Sequence, residues 1–134
     1  MQILELIQEP MTKSQLLELS PVVLAFVGDA VHTLYVRNQI VKSKNLMVGK
    51  QHQRASNRCK ASHQAFIYDN IYSILTEEEQ GVLRRGKNAK TNNVAKNADI
   101  EDYKKATAFE CLIGWLWLQG SYERMAELLS YDKE

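Results

Sequence analysis

The stretch LAFVGDAVHTLYVR (24–37) decides the fold, because it has the pattern of a long apolar helix interrupted by one acid. Ser20 and Pro21 precede it, an N-cap residue followed by proline at the first helical position, and they predict a helix that continues to about Val41. Asp29 stands inside this apolar run. Burial of an unpaired carboxylate is costly or forces it to bind a proton. We therefore expect Asp29 either to have a structural partner or to bind a cation.

A second apolar stretch, TAFECLIGWLWL (107–118), repeats the same anomaly with Glu110 as its lone acid. Gly114 lies one turn after Glu110, and Gly28 directly precedes Asp29, so both helices have a small residue where another backbone can approach closely. If the two helices pack there, the two acids face each other. Without a cation, one of them would have to be protonated. With Mg²⁺ between them, both carboxylates become oxygen ligands, and substrate phosphate oxygens and water complete the coordination.

The alternative for each acid is a cap or a hydrogen bond to a neighbouring element. For either acid alone that alternative is favoured, but for both together the metal is favoured. Zinc is not indicated, because His32, His52 and His63 show no ligand spacing with cysteine or with each other. His32, one turn after Asp29, is interpreted as a packed or surface histidine, with support of a metal ligand as the alternative.

Length and composition indicate a single all-α domain over residues 1–134. The hydrophobic fraction of 45% and the charged fraction of 25% are ordinary for a soluble globular protein. No uncharged apolar stretch is long enough for a transmembrane helix, and no signal peptide is evident, so no membrane association is expected. The two cysteines, Cys59 and Cys111, lie in helical segments and are expected to be reduced core residues, which favours a cytoplasmic location.

Helix signals dominate the rest of the chain, and no segment alternates with period two. Thr76 followed by Glu79 matches a capping box and predicts a short helix that ends near Gly86. The stretch 86–99 has the character of a polar, basic loop. The other predicted helices cover about 45–75, 100–118 and 122–129.

The net charge of +1 conceals a segregation of charge, since no acid occurs in 30–68 or in 80–98. Segregation of this kind can give a near-neutral protein a polyanion-binding face, although each cation can also be simply solvated. The candidates in the second window are Arg84, Arg85, Lys87, Lys90 and Lys96. In the first window, Lys50, Arg54 and Arg58 recur every four residues and would form a second stripe on one helix face.

LAFVGDAV (24–31) and the stretch around Glu110 resemble the two catalytic helices of ribonuclease III domains. RRGKNAK (84–90) and AKNADIEDY (95–103) extend the resemblance to the compact bacterial Mini-ribonuclease III branch. The resemblance implies an all-α homodimer that cuts both strands of double-stranded RNA with Mg²⁺, leaving 5′-phosphate and 3′-hydroxyl ends. It also implies trimming of the stem of precursor 23S ribosomal RNA, with a ribosomal protein as a possible partner and without a separate RNA-binding domain.

The chain departs from the larger enzymes of the family at two positions, where Ala25 and Thr107 replace acids. Both departures are typical of the Mini branch. They leave Asp29 and Glu110 as the catalytic metal ligands and predict one Mg²⁺ per site. RNA would be held through its backbone and its 2′-hydroxyls by the basic residues of both windows, with Asn88 able to reach a 2′-hydroxyl. Phe26 is a candidate for the dimer surface, although a single phenylalanine at helical spacing is more often core.

Two other functions stay open on the sequence. One is a non-catalytic module that binds RNA or ribosomal subunits, against which the retention of Asp29 and Glu110 argues. The other is an all-α, Mg²⁺-dependent nucleotide pyrophosphohydrolase. Such enzymes cluster acids at helical spacing, and TEEE (76–79) is the one such cluster in the chain; it fits better as a helix N-terminus.

Overall fold

Helices make up the fold in this computed structural model, which describes residues 7, 9–43, 48–89 and 99–133. No strand occurs in these ranges, so the predicted all-α class is confirmed. That residues 1–134 form one domain stays a prediction. The helices are α1 (Lys13–Leu17), α2 (Pro21–Lys42), α3 (Val48–Cys59), α4 (Ala61–Ile71), α5 (Glu77–Lys87), α6 (Ile100–Leu118) and α7 (Tyr122–Leu129), with a 3₁₀ turn at Tyr72–Ile74 after α4.

The predicted helix starts are confirmed by their caps. The Ser20 hydroxyl accepts a hydrogen bond from the backbone N–H of Val23 at 3.3 Å, which satisfies a free donor in the first turn of α2. At α5, Thr76 and Glu79 form the predicted capping box, with reciprocal bonds of 2.9 and 3.1 Å. Helix α1 was not predicted, although Thr12 and Gln15 form a capping box of the same kind at its start.

The prediction of one helix over 45–75 is wrong, because the chain turns at Lys60 between α3 and α4. Lys60 has extended backbone angles, φ −73° and ψ 158°, and acts as the N-cap of α4 without a side-chain cap bond. Helix α3 packs on α2, whereas α4 packs on α6, so the chain must change direction between them. Neither glycine nor proline marks the turn, and tertiary packing overrides the local helical pattern.

Helix α6 is the centre of the hydrophobic core. Phe109, Leu112 and Ile113 are fully buried, and α2, α4 and α5 all pack against this helix. Helix α5 comes close because a Cβ on Gly86 would lie 2.9 Å from the Cα of Ala108. Although α6 is strongly apolar, no helix among the described residues is long and apolar enough to cross a membrane.

Both cysteines are free thiols, as the sequence predicts. The buried Cys111 thiol donates a hydrogen bond to the carbonyl oxygen of Pro21 at 2.8 Å, and burial raises the pKa of Cys111 to about 12. Cys59, at the end of α3, is partly exposed, and burial also raises its pKa. The prediction that both are core residues is therefore confirmed for Cys111 and wrong for Cys59.

Candidate active site

The backbones of α2 and α6 touch where their glycines meet. A Cβ built on Gly28 would lie 1.8 Å from the carbonyl oxygen of Glu110, and one built on Gly114 would lie 2.0 Å from that of Leu24. Neither distance is possible for a real side chain. The prediction that these glycines allow close approach of two backbones is confirmed, and the crossing brings the two acidic positions together.

Asp29 and Glu110 face each other across this crossing and are joined by a hydrogen bond. The predicted pairing of the two acids is therefore confirmed. The expectation that both are buried is wrong, because Asp29 is exposed and Glu110 is half-buried. Asp29 lies on the solvent side of α2 and lines a cleft.

Glu110 carries a proton at neutral pH in the absence of a cation. Burial, together with the hydrogen bond to Asp29 and the negative charge of Asp29, raises the pKa of Glu110 to about 8, and a hydrogen bond from Gln64 opposes this rise. This agrees with the argument that two facing carboxylates without a cation cannot both be ionised. A divalent cation at this position would favour the ionised form of both groups.

The two acids lie in a cleft of about 430 Å³ between α2, α4 and α6. Ala25 and Thr107, the two positions at which the resemblance implies acids in larger enzymes, also line it. The Thr107 hydroxyl donates to the carbonyl oxygen of Tyr103 at 3.0 Å, so it is engaged with its own helix. Within the described ranges, no group of three or more His, Cys, Asp or Glu side chains could hold a metal ion. The site therefore offers two carboxylates.

Sequence reasoning missed Gln64, which lines the cleft and is 3% exposed. Its side chain hydrogen-bonds Glu110, and its Nε2 lies 3.2 Å from Nδ1 of His32. A neutral amide produces no charge anomaly in the sequence, so nothing pointed to it. His32 is packed, as predicted: it is fully buried and its ring meets that of Phe109 edge-on, with the centroids 5.0 Å apart.

The candidate RNA-binding residues of the second window lie at the end of α5. Arg84, Arg85 and Asn88 are exposed. Lys87 is partly covered: its side chain is 32% exposed and its Nζ lies 2.8 Å from the Glu101 carboxylate. Glu101 raises the pKa of Lys87, which keeps it cationic. The candidates Lys90 and Lys96 lie outside the described residues.

Lys50, Arg54 and Arg58 of the first window do not form the expected exposed stripe. The prediction is wrong for Arg58. Lys50 is exposed, and Arg54 donates from Nη1 to the Ser43 hydroxyl at 3.0 Å. Arg58, however, is 6% exposed, and its Nη2 lies 3.2 Å from the Asp132 carboxylate. It faces inward because that buried carboxylate needs a cation. The four-residue spacing correctly predicted a shared helix face but not which part of it is exposed.

Phe26 is a surface residue, so its interpretation as core is wrong. Its exposure is 80%, and Val22 and Val23 on the same helix are 48% and 45% exposed. Phe26 and Val22 also form one wall of the cleft beside Asp29. Exposed apolar surfaces beside a cleft are typical of interaction sites.

Comparisons with known proteins find one family model and several relatives that match most of the chain. Residues 22–121 match the family described as Ribonuclease III domain. The Mini-ribonuclease 3 of Thermoanaerobacter sp. is 45% identical over 90% of this chain and 85% of its own length, and that of Brevibacillus brevis is 47% identical over 82% of each chain. A crystal structure of a Fusobacterium nucleatum protein has a TM-score of 0.77 at 28% identity, covering 84% of this chain and 90% of that one.

Proposed function

Since this chain belongs to the ribonuclease III family, whose members are endoribonucleases, we propose that it cleaves double-stranded RNA with Mg²⁺ held by Asp29 and Glu110. The products would be 5′-phosphate and 3′-hydroxyl ends. The observation that supports this proposal most directly is the hydrogen-bonded carboxylate pair at the α2–α6 crossing, which opens into a cleft. A fold that only bound RNA would gain nothing from two facing acids.

The donor chemistry fits magnesium. Mg²⁺ prefers oxygen ligands and is commonly bound by one or two carboxylates, with water and substrate phosphate oxygens completing its coordination. Two carboxylates per site are in keeping with one ion. When bound, the ion lowers the pKa of a coordinated water and stabilises charge on the scissile phosphate. Asp29 and Glu110 would hold the ion, and the hydrogen bond from Gln64 would keep the Glu110 carboxylate in place.

RNA binding is assigned to the cations at the end of α5 and on α3. A-form RNA is recognised through phosphates, 2′-hydroxyls and shape, so flexible cations and an amide suffice. On this basis the contacts include Arg84, Arg85, Lys87 and Asn88, with Lys50 and Arg54 on α3 as a second group. Lys90 and Lys96 remain proposed on the sequence. Arg58 is left out because it is buried against Asp132.

A second copy of the chain is the proposed partner of the exposed apolar face on α2. Phe26 and Val22 are exposed beside the cleft, so a dimer formed there would place two sites next to each other. Two adjacent sites are suited to cutting the two strands of one duplex. The stem of precursor 23S ribosomal RNA, in the cytoplasm and with a ribosomal protein assisting, is the proposed substrate on the strength of the resemblance.

No observation favours the pyrophosphohydrolase alternative. Its acidic cluster would be TEEE (76–79), but there Glu79 completes a capping box and accepts hydrogen bonds from Arg124 at 2.8 Å. The pKa of Glu79 is lowered, chiefly by Arg124, so this acid is held ionised in a structural pair. Glu79 therefore has a structural role, in capping α5 and pairing with Arg124.

The test is cleavage by Asp29→Asn with duplex RNA, the same RNA as a single strand, and nucleoside triphosphates. We expect no cleavage by the variant, because the charge that holds the ion is gone, but unchanged RNA affinity. The matched control is Asp69→Asn, which removes an exposed aspartate that pairs with Lys105 at 2.8 Å outside the cleft, and it should cleave normally. Turnover near that of the wild type in Asp29→Asn would refute the assignment.

A further inference from the structure

We propose that Asp132, His32 and Gln64 form a positioning chain that fixes the orientation of the Glu110 carboxylate. The inference rests on the proposed function, in which Glu110 is a metal ligand. It assigns a role in the reaction to Asp132, which follows α7 and lies far from Glu110 in the sequence. None of these three residues of the positioning chain is expected to touch the substrate phosphate. Each acts on Glu110 through the next residue in the series.

The chain starts at a buried carboxylate that three helices hold. Asp132 is 5% exposed, and its two oxygens accept hydrogen bonds from Nε2 of His32 and Nε2 of His63, both at 2.7 Å. Arg58 adds its Nη2 at 3.2 Å. Burial raises the pKa of Asp132, but the bonds from the two histidines and the charge of Arg58 outweigh it and lower that pKa. Asp132 is thus a fixed anion.

That anion selects one form of the His32 ring. Because Nε2 donates to Asp132, the neutral ring has a bare Nδ1, which can only accept. The donor it meets is Nε2 of Gln64, 3.2 Å away. The edge-on contact with Phe109, with an interplanar angle of 88°, holds the ring plane. The neutral His32 ring therefore presents an acceptor to Gln64.

The acceptor on His32 in turn fixes which way the Gln64 amide faces. The side chain of Gln64 donates a hydrogen bond to Glu110, and Nε2 is its only donor atom, so the same nitrogen serves both neighbours. A flipped amide would put its oxygen against the bare Nδ1 of His32 and, when Glu110 is ionised, against its carboxylate, and both contacts are repulsive. Asp132 therefore determines, through His32 and Gln64, that a hydrogen-bond donor faces Glu110. Partners of this kind orient the side chains that bind metals.

The structure also supplies a control for a purely structural role. Glu79 is a second buried carboxylate, 4% exposed, and Arg124 pairs with it as Arg58 pairs with Asp132. Neither Thr76 nor Arg124, which bond Glu79, lines the cleft. Loss of either carboxylate removes the buried anion that pairs with its arginine and destabilises the fold. Only the loss of Asp132, and not that of Glu79, should also disturb the orientation of the Glu110 carboxylate.

The experiment compares Asp132→Ala with Glu79→Ala in single-turnover cleavage of duplex RNA, below the melting temperature of every variant. We expect Asp132→Ala to cleave about 10-fold more slowly at unchanged RNA affinity, since loss of such partners typically costs 10- to 100-fold. Glu79→Ala should cleave at the wild-type rate. In a Gln64→Leu background, Asp132→Ala should slow cleavage no further, because the two act on one pathway.

Two readouts do not depend on activity. In the metal-free wild type, nitrogen NMR of the neutral His32 ring should show a protonated Nε2 and a bare Nδ1. The side-chain amide signals of Gln64 should move in Asp132→Ala and stay in place in Glu79→Ala. The opposite tautomer of His32, equal rates for the two alanine variants, or an additive double variant would overturn the proposal. Asp29→Asn, measured in parallel, separates the two claims: if it cleaves normally the proposed function fails, and if it is inactive while Asp132→Ala is fully active only the positioning chain fails.

Discussion

The crossing of α2 and α6 and the basic surface of α3 and α5 differ in how strictly geometry constrains them. At the crossing, the backbones touch at Gly28 and Gly114, and no other residue type fits without moving a helix. On the basic surface, long side chains are exposed at Arg84 and Arg85. One region depends on atoms that cannot move, and the other on charges that can be rearranged.

The difference teaches which sequence patterns are specific. A lone acid beside a glycine in an apolar helix has few structural solutions, so it predicted the contact of Asp29 and Glu110. A run of cations has many solutions, and the four-residue spacing did not separate exposed Lys50 from buried Arg58. Substitutions should therefore have large, local effects at the crossing and small, distributed effects on the basic surface.

The largest effect is expected for Gly28→Ala. Its Cβ would lie 1.8 Å from a backbone oxygen, which cannot rotate away, so α2 and α6 must separate. We expect the free energy of unfolding to fall by at least about 3 kcal/mol, with loss of cleavage. The control is Gly81→Ala, where the new methyl group meets nothing within 4 Å and alanine should stabilise α5 by up to about 1 kcal/mol. Denaturant unfolding of both variants measures the contrast, and equal stability would contradict the close crossing.

The next effect is a pH-dependent change in stability for Glu110→Gln in metal-free protein. Burial and Asp29 raise the pKa of Glu110 from 4.5 to about 8 in the folded state, so the folded protein binds more protons than the unfolded chain between these values. The free energy of unfolding of the wild type should therefore fall as the pH rises through this window. Glutamine remains neutral at every pH. At pH 8 the free energy of unfolding of the variant should therefore exceed that of the wild type by about 1–3 kcal/mol, a range reduced because Glu110 is partly hydrated.

Thermal melts at pH 5 and pH 8, with EDTA and with Mg²⁺, measure this effect. Mg²⁺ should stabilise the wild type, because a ligand that binds the folded state shifts unfolding, but should barely stabilise Glu110→Gln. The variant should also need far more Mg²⁺ for any cleavage that it retains. A wild type whose stability does not change between the two pH values would contradict the raised pKa, and equal stabilisation of both proteins by Mg²⁺ would remove Glu110 as a ligand.

The smallest effect on folding is expected on the basic surface. Arg84→Ala with Arg85→Ala should weaken duplex binding without sequence preference and flatten the salt dependence by about one unit per lost contact, carrying over the rule for duplex DNA. Stability should hardly change, because exposed charges contribute little. Lys13→Ala is the control, an exposed lysine that pairs with Glu78 at 3.3 Å. Titrations at several salt concentrations in the Asp29→Asn background make the measurement, and an unchanged slope would assign RNA binding to the α3 side instead.

The fold could be predicted wherever the signal was local. Ser20 and Thr76 predict the starts of their helices, because a side-chain cap is a hydrogen bond between residues close in sequence. The turn at Lys60 was missed because its cause is distant: two neighbouring helices pack on different partners. The burial of Arg58 was missed for the same reason, since its partner Asp132 lies 74 positions away along the chain.

The site could be predicted in its charges but not in its neutral parts. Asp29 and Glu110 stood out because a carboxylate in an apolar run is anomalous. Gln64 did not, since an amide in a helix is unremarkable, and its importance comes from contacts with two other helices. Phe26 was interpreted as core because apolar residues usually are, but its neighbours leave it exposed beside the cleft.

The unequal exposure of the two thiols makes the protein suited to site-specific labelling without engineering. Cys59 lines the cleft, whereas Cys111 is fully buried and its thiol donates a hydrogen bond to the carbonyl oxygen of Pro21. A thiol-directed fluorophore applied to the folded protein should modify Cys59, slowly because its pKa is raised, and leave Cys111 intact. The dye would then lie in the same cleft as Asp29, where its emission can report the arrival of RNA at the site.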